Sequence, residues 1–129
     1  MRYHRRFILL LAALALPGCV RLQSAPIDTS ARRAPLPADS VLVYATDADA
    51  PARHDSVAYV EARADWLLGG GRVVEALRAE AGRLGANGVV LHELVAASAL
   101  RQVGDVALGG GVAETRARGV AIFTPPSAN

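Results

Sequence analysis

The 129-residue chain has no lysine, a single cysteine and no methionine beyond Met1. One cysteine excludes an intrachain disulfide, so packing alone must hold the fold, even in an oxidising compartment. Charge is nearly balanced, with 14 basic residues against 12 acids, and three of the arginines (Arg2, Arg5, Arg6) precede residue 7. A chain cut after Gly18 keeps eleven arginines against twelve acids, a net charge of −1. The basic excess therefore belongs to the first eighteen residues. No broad electrostatic attraction to nucleic acid is left. No apolar run approaches the roughly 20 residues that a helix needs to cross a bilayer. Catalytic patterns are also missing. Ser40, Ser56 and Ser98 carry no recognisable flanking motif, and Glu61 and Asp65 have no evident partner. With no nucleophile, base and orienter set in view, neither an enzyme nor a cofactor is expected.

What the chain does have begins at its N-terminus. MRYHRR is basic, FILLLAALAL (7–16) is a ten-residue apolar core, and Pro17-Gly18 is a small-residue junction. That order is a secretory signal peptide, assigned to residues 1–18. Residues 19–39 hold three prolines and scattered small polar residues without periodicity. They read as an extended, flexible tether.

Leu16-Pro17-Gly18-Cys19 resembles the lipobox of bacterial lipoproteins. Leu stands three before the cysteine and a small residue directly before it. Pro17 occupies a place where the family uses a small or hydroxyl residue. The resemblance implies that Cys19 is acylated and becomes the lipidated N-terminus. Stable anchoring takes two or more chains, each buried CH₂ contributing about 0.8 kcal/mol. Val20 is not the aspartate that retains such proteins at the inner membrane, so the outer membrane is implied. The partner is then the membrane through the lipid, with the domain facing the periplasm.

A folded domain is expected over 40–124, followed by a tail at 125–129. SVLVYA (40–45) is β-branched and aromatic, and reads as a strand. SVAYVEARA (56–64) sets Val57, Tyr59, Glu61 and Arg63 on one face and Ala58, Val60, Ala62 and Ala64 on the other, a half-buried strand. RVVEALRAEAGRLG (72–85) places Val74, Leu77, Ala81 and Leu84 on a helical stripe, pairs Glu75 with Arg78, and stops at Gly85. NGVVLHELVAA (87–97) and RGVAIFT (118–124) read as strands, and Pro125-Pro126 ends the last. Residues 98–117 read either as a long hairpin tipped by Gly109-Gly110-Gly111 or as an insertion. The class is α+β, with about four strands, one helix packed on them, and the order β-β-α-β-β.

VLVYATD (41–47), VAYVEA (57–62), ALRAEAGRLGANGVVLHE (76–93) and GVAIF (119–123) resemble the stress-sensor lipoprotein of the Rcs phosphorelay, related small envelope proteins and the YbjQ-like proteins. The shared core is a helix, then LGAN, then an apolar strand. In the Rcs sensor disulfides hold the domain, and two of those cysteines would fall near Leu94 and Ala121; here neither position is cysteine. The YbjQ-like group carries a heavy-metal-binding label.

That label directs attention to His54 and His92, the histidines that remain after residue 18. A transition metal needs several ligands converging on one point. His92 and Glu93 are adjacent on a strand and should face opposite ways. No metal-ligand spacing is present, so His92 is read as partly buried and locally satisfied. Gly69-Gly70-Gly71-Arg72 fits neither the dinucleotide nor the P-loop pattern and reads as a connector. Trp66-Leu67-Leu68 has two readings: Trp66 closes one end of a small core, or it anchors a partner as Trp does at binding hot spots. Two functions are carried forward. One is a non-catalytic interaction or envelope-sensing module that contacts another envelope protein. The other is a metal- or small-ligand-binding lipoprotein.

Overall fold

The computed structural model describes residues 20–65, 69–96, 107–109 and 114–126. Residues 1–18, read as a signal peptide and including Leu16, Pro17 and Gly18, lie outside these residues, as do Cys19, Trp66-Leu67-Leu68 and most of 98–117, the stretch read as a hairpin or an insertion. The described strands and α-helix are β1 (Arg21–Pro26), β2 (Leu42–Tyr44), β3 (Asp55–Asp65), α1 (Gly70–Arg83), β4 (Gly88–Val95) and β5 (Glu114–Phe123), with single 3-10 turns at Ala38–Ser40 and Asp47–Asp49. The class is α+β, as expected, but the sheet has five strands in the order β1-β3-β5-β4-β2. β3 and β4 both pair antiparallel with β5, so they run parallel to each other with β5 between them. β2 adds parallel to β4 and β1 adds antiparallel to β3.

β1 corrects the tether. Arg21–Pro26 pairs residue for residue with Arg63–Ala58 of β3. The segment is short and polar, every residue is exposed, and Pro26 ends it. Such a composition suits an edge strand, where only one row of hydrogen bonds is needed. The rest of the supposed tether is a strap linking the two sheet edges across the C-terminal end of α1. Leu36 N–H donates to the Gly82 carbonyl at 2.8 Å, Arg78 Nε–H donates to the Val41 carbonyl at 3.0 Å, and the Arg33 guanidinium lies 5.0 Å from the centre of the Phe123 ring. The prolines reduce the number of amides needing partners, and the remaining strap makes specific contacts.

The helix packs on one face of the sheet. Its buried side chains are Val73, Leu77 and Ala81, spaced i, i+4, i+8, with Gly82 beside them. Val73 therefore takes the inward place expected for Val74, a rotation of one residue. The sheet meets it with Ala58, Val60, Ala62 and Ala64 of β3, Ala117 and Ala121 of β5, and Val89 of β4. The helix begins at Gly70, so the glycine run is partly its first turn rather than a connector. The Glu75–Arg78 pair forms at 2.7 Å.

The LGAN segment has a local physical explanation. Gly85 takes φ 79°, its N–H donates to the Gly82 carbonyl, and Ala86 N–H donates to Ala81 O at 2.9 Å. These are the two bonds of a Schellman stop, which favours glycine. Ala86 is fully buried. Asn87 then ties the turn to the end of β5: its Nδ2 donates to the Thr124 carbonyl, and its Oδ1 accepts from Thr124 N–H, both at 2.8 Å.

Two measurements check this architecture. A chain starting at Ser40 lacks β1 and the strap. It loses interactions comparable to the roughly 5–15 kcal/mol that hold a domain together. Urea unfolding followed by circular dichroism should show a cooperative transition for a chain starting at Val20 and none for one starting at Ser40. A methyl at Gly82 would sit 2.3 Å from the Leu36 carbonyl oxygen, whereas one at Gly71 meets nothing. Gly82→Ala should cost about 1–3 kcal/mol, and Gly71→Ala should gain about 0.5–1 kcal/mol.

Candidate interaction face

The strand period that turns alanines toward α1 turns charged residues the other way. Register places Arg21, Gln23 and Ala25 of β1 beside Arg63, Glu61 and Tyr59 of β3. It places Glu61 beside Arg118 and Arg63 beside Arg116 of β5, and Glu93 of β4 beside Arg118. The result is a ladder of charges across four strands, in which Glu61, Arg118 and Glu93 alternate in sign beside a row of three arginines, Arg21, Arg63 and Arg116. Arg21 pairs with Glu114 at 2.7 Å, and Arg63 reaches Glu114 at 3.8 Å. Arg63 also pairs with Glu61, and Arg118 pairs with Glu61 at 2.8 Å and with Glu93 at 3.6 Å. Arg116 closes the series on Glu93 at 3.0 Å.

Glu61 is the hub. Its side chain is 17% exposed, the least among the ladder members. Burial pushes its carboxyl up, but the hydrogen bonds and charges of Arg63 and Arg118 outweigh burial and hold it below its ordinary value. Glu61 in turn holds the Arg63 guanidinium charged more firmly than usual. Four arginines against three glutamates leave one positive charge on the ladder. The Nε of Arg116 is enclosed and makes no hydrogen bond.

Beside the ladder runs an open groove of about 710 Å³. Gln23, Ala25, Tyr59, Glu61, His92, Glu93 and Arg118 line it. Tyr59 is 59% exposed and offers a large amphipathic surface. His92 and Glu93 were expected on opposite faces, but the pairing with β5 steps from Leu91↔Gly119 to Glu93↔Arg118. His92 is therefore the extra residue of a bulge. A bulge breaks the strict two-residue alternation, and both side chains reach the groove. The bulge also leaves His92 half exposed, with Nε2 3.6 Å from Asp47 Oδ1, rather than enclosed in the strand.

His54 lies in the turn before β3, where its Nδ1 donates to the Pro51 carbonyl at 2.7 Å. Among the described residues no three His, Cys, Asp or Glu side chains are grouped to hold a metal. Gly69 follows the end of β3, and Gly109 lies between the end of β4 and the start of β5. The ladder was missed in the sequence because β5 was begun at Arg118. Glu114, Arg116 and Arg118 alternate with Thr115, Ala117 and Gly119, and that two-residue period was the available signal.

No protein-family model and no curated protein matches the chain. Among solved structures it is similar to the crystal structure of a Francisella virulence factor, FvfA. The TM-score is 0.56 at 14% identity, over 81% of this chain and 98% of the other. At that identity the likeness concerns the fold alone.

The ladder makes stability depend on pH with a definite sign. A folded-state carboxyl pKa below the unfolded one means fewer bound protons in the fold. The contribution of Glu61 is fully present above pH 4.5 and is lost as pH falls through its lower folded value. Glu61→Gln should therefore cost about 1 kcal/mol at neutral pH, and the gap to the parent should shrink as acid is added. Denaturant titrations at a series of pH values read this. A gap that does not change with pH would mean that Glu61 acts through packing.

Proposed function

We propose that the chain is a lipid-anchored envelope protein whose folded part is a non-catalytic interaction or sensing module. The lipobox-like Leu16-Pro17-Gly18-Cys19 after a basic and apolar leader supports the anchor at Cys19. The neighbouring Val20 supports the outer membrane, with the domain in the periplasm. The observation that carries the module reading is the open face of the sheet. It offers an exposed tyrosine, a groove and a preformed set of paired charges. A second envelope protein presenting complementary charges can dock there, because ordered charged groups favour a matching partner and repel mismatched ones. Tyr59 is the aromatic to test on that face, since it is 59% exposed and lines the groove.

The groove also supports the rival reading, a small ligand or metal contacting His92 and Glu93. Two experiments separate them. Labelled palmitate should mark the wild type and leave Cys19→Ser unmarked; equal labelling of both would remove the anchor. A photo-crosslinking residue at position 59 should capture one envelope protein in cells, and a control at exposed Ala79 on α1 should not. Stoichiometric binding of Zn²⁺, Cu²⁺ or Ni²⁺ in calorimetry, lost in His92→Ala, would favour the ligand reading instead.

A further inference from the structure

Only Val20 separates Cys19 from the first residue of β1. Val20 itself packs against the core. Extended chain covers at most about 3.6 Å per residue, so the Cα atoms of Cys19 and Arg21 lie within about 7 Å of each other. The acyl chains of a lipidated Cys19 enter the hydrocarbon, and the headgroup layer above it is about 5–8 Å deep on each side. The start of β1 therefore sits in or directly on the headgroups.

Register identifies what shares that level. Arg21 is opposite Arg63, and Arg63 is opposite Arg116. Asp65 is opposite Glu114, and Val95 is opposite Arg116. The first turn of α1 joins them: Gly70 lies against Leu94, and Arg72 is exposed one residue beyond Gly71. This end and the ladder it belongs to carry Arg21, Arg63, Arg72, Arg116 and Arg118 against Glu61, Asp65, Glu93 and Glu114, a net charge of +1, whereas the rest of the chain after residue 18 is −2. The positive charge is concentrated at the end where the lipid would attach. Leu94 is 49% exposed and Leu108, between β4 and β5, is 89% exposed. Arginine beside exposed leucine is the composition that suits a phosphate-bearing interface with hydrocarbon beneath it.

We propose that this sheet end, built around Arg21, Arg63, Arg72 and Arg116, is a docking surface for the phospholipid headgroups of the membrane that holds Cys19. The domain stands on the bilayer rather than swinging on a leash. The proposal rests on the lipidation of Cys19, and the charge asymmetry supplies an independent reason for the orientation.

The test uses the full lipidated chain in vesicles of phosphatidylethanolamine and phosphatidylglycerol. Acylation occupies the Cys19 sulfur, so a cysteine introduced elsewhere is the sole free thiol. Gly71→Cys reports on the proposed surface, where added atoms meet nothing. Arg53→Cys reports on the opposite end, before β3. Each carries an environment-sensitive dye, and a nitroxide on a fraction of the lipid headgroups is the quencher. The 11-residue β3 separates the two ends by about 35 Å, so the dye at position 71 should be quenched at least about threefold more strongly than the dye at position 53. Ten Gly-Ser residues inserted between Val20 and Arg21 allow about 17 Å of random-coil reach and should reduce that ratio. Raised salt should reduce it further in that variant. Equal quenching at both positions in the uninserted protein, with the protein floating with the vesicles, would overturn the orientation and leave the anchor standing. Failure to float with the vesicles would overturn both.

Discussion

The seam between α1 and the sheet is built from unequal partners, and the rest of the molecule follows from it. The helix supplies Val73 and Leu77, while much of the sheet surface is alanine, at positions 58, 62, 64, 117 and 121. Short side chains on the sheet let the helix lie close, so contact is made by backbone-proximal atoms that lose little rotamer freedom on burial. Each buried valine or leucine contributes about 1.5–3 kcal/mol. A seam of this kind has little slack. Gly82 and Gly85 already touch the strap through positions where a Cβ would collide with Leu36 or Arg33. With one cysteine in the chain and so no intrachain disulfide, that close fit carries the stability.

Alanine toward the helix dictates the character of the opposite face. Strand alternation leaves the intervening positions facing away from α1, and these are mainly arginine, glutamate and tyrosine. Exposed ion pairs taken singly contribute about 0–1 kcal/mol, so the ladder is a weak source of stability. Its value lies in order: Glu61 is held by two guanidiniums, and each of those is shared with a second acid or lies next to one. A surface with prearranged charges loses less conformational entropy when a partner arrives. The same alternation also keeps the face soluble until it is covered.

Much of this was legible because period and stop signals agreed. The helix, its Gly85 stop and the strands beginning near Ser56 and Asn87 all follow from apolar spacing. β1 was not legible, because an edge strand with polar residues on both sides and a proline at its end has no apolar signature. The unbroken 11-residue β3 was the indirect clue, since its far edge needed cover. β5 was shortened because Thr-Arg-Ala-Arg looks like solvated loop unless alanine is allowed as a core residue. Val73 displaced Val74 because the stripe was phased on Leu84, which sits in the cap rather than on the helix face. His92 could not be oriented from alternation at all, because one inserted residue in β4 resets the faces beyond it. The candidate face was half legible: Tyr59, Glu61 and Arg63 were placed together, but their partners on β1, β4 and β5 required the register.

Replacing a tether by a strand changes what the anchor can do. A twenty-residue leash would let the domain sample a volume tens of Å across and meet partners in any orientation. A strand hydrogen-bonded to β3 from its first residue fixes direction as well as distance. On the proposed anchoring, the strands point away from the bilayer and the groove at Gln23–Ala25 and Tyr59–Glu61 begins two residues above Arg21. At about 3.4 Å per residue that is roughly 7–14 Å from the headgroups, with the open face turned sideways. Such a face meets proteins that share the membrane and rise only a short way from it. It does not project toward partners free in the periplasm. A lipid at Cys19, as proposed, does more than localise the domain: through β1 it selects the height and the side from which a partner can approach.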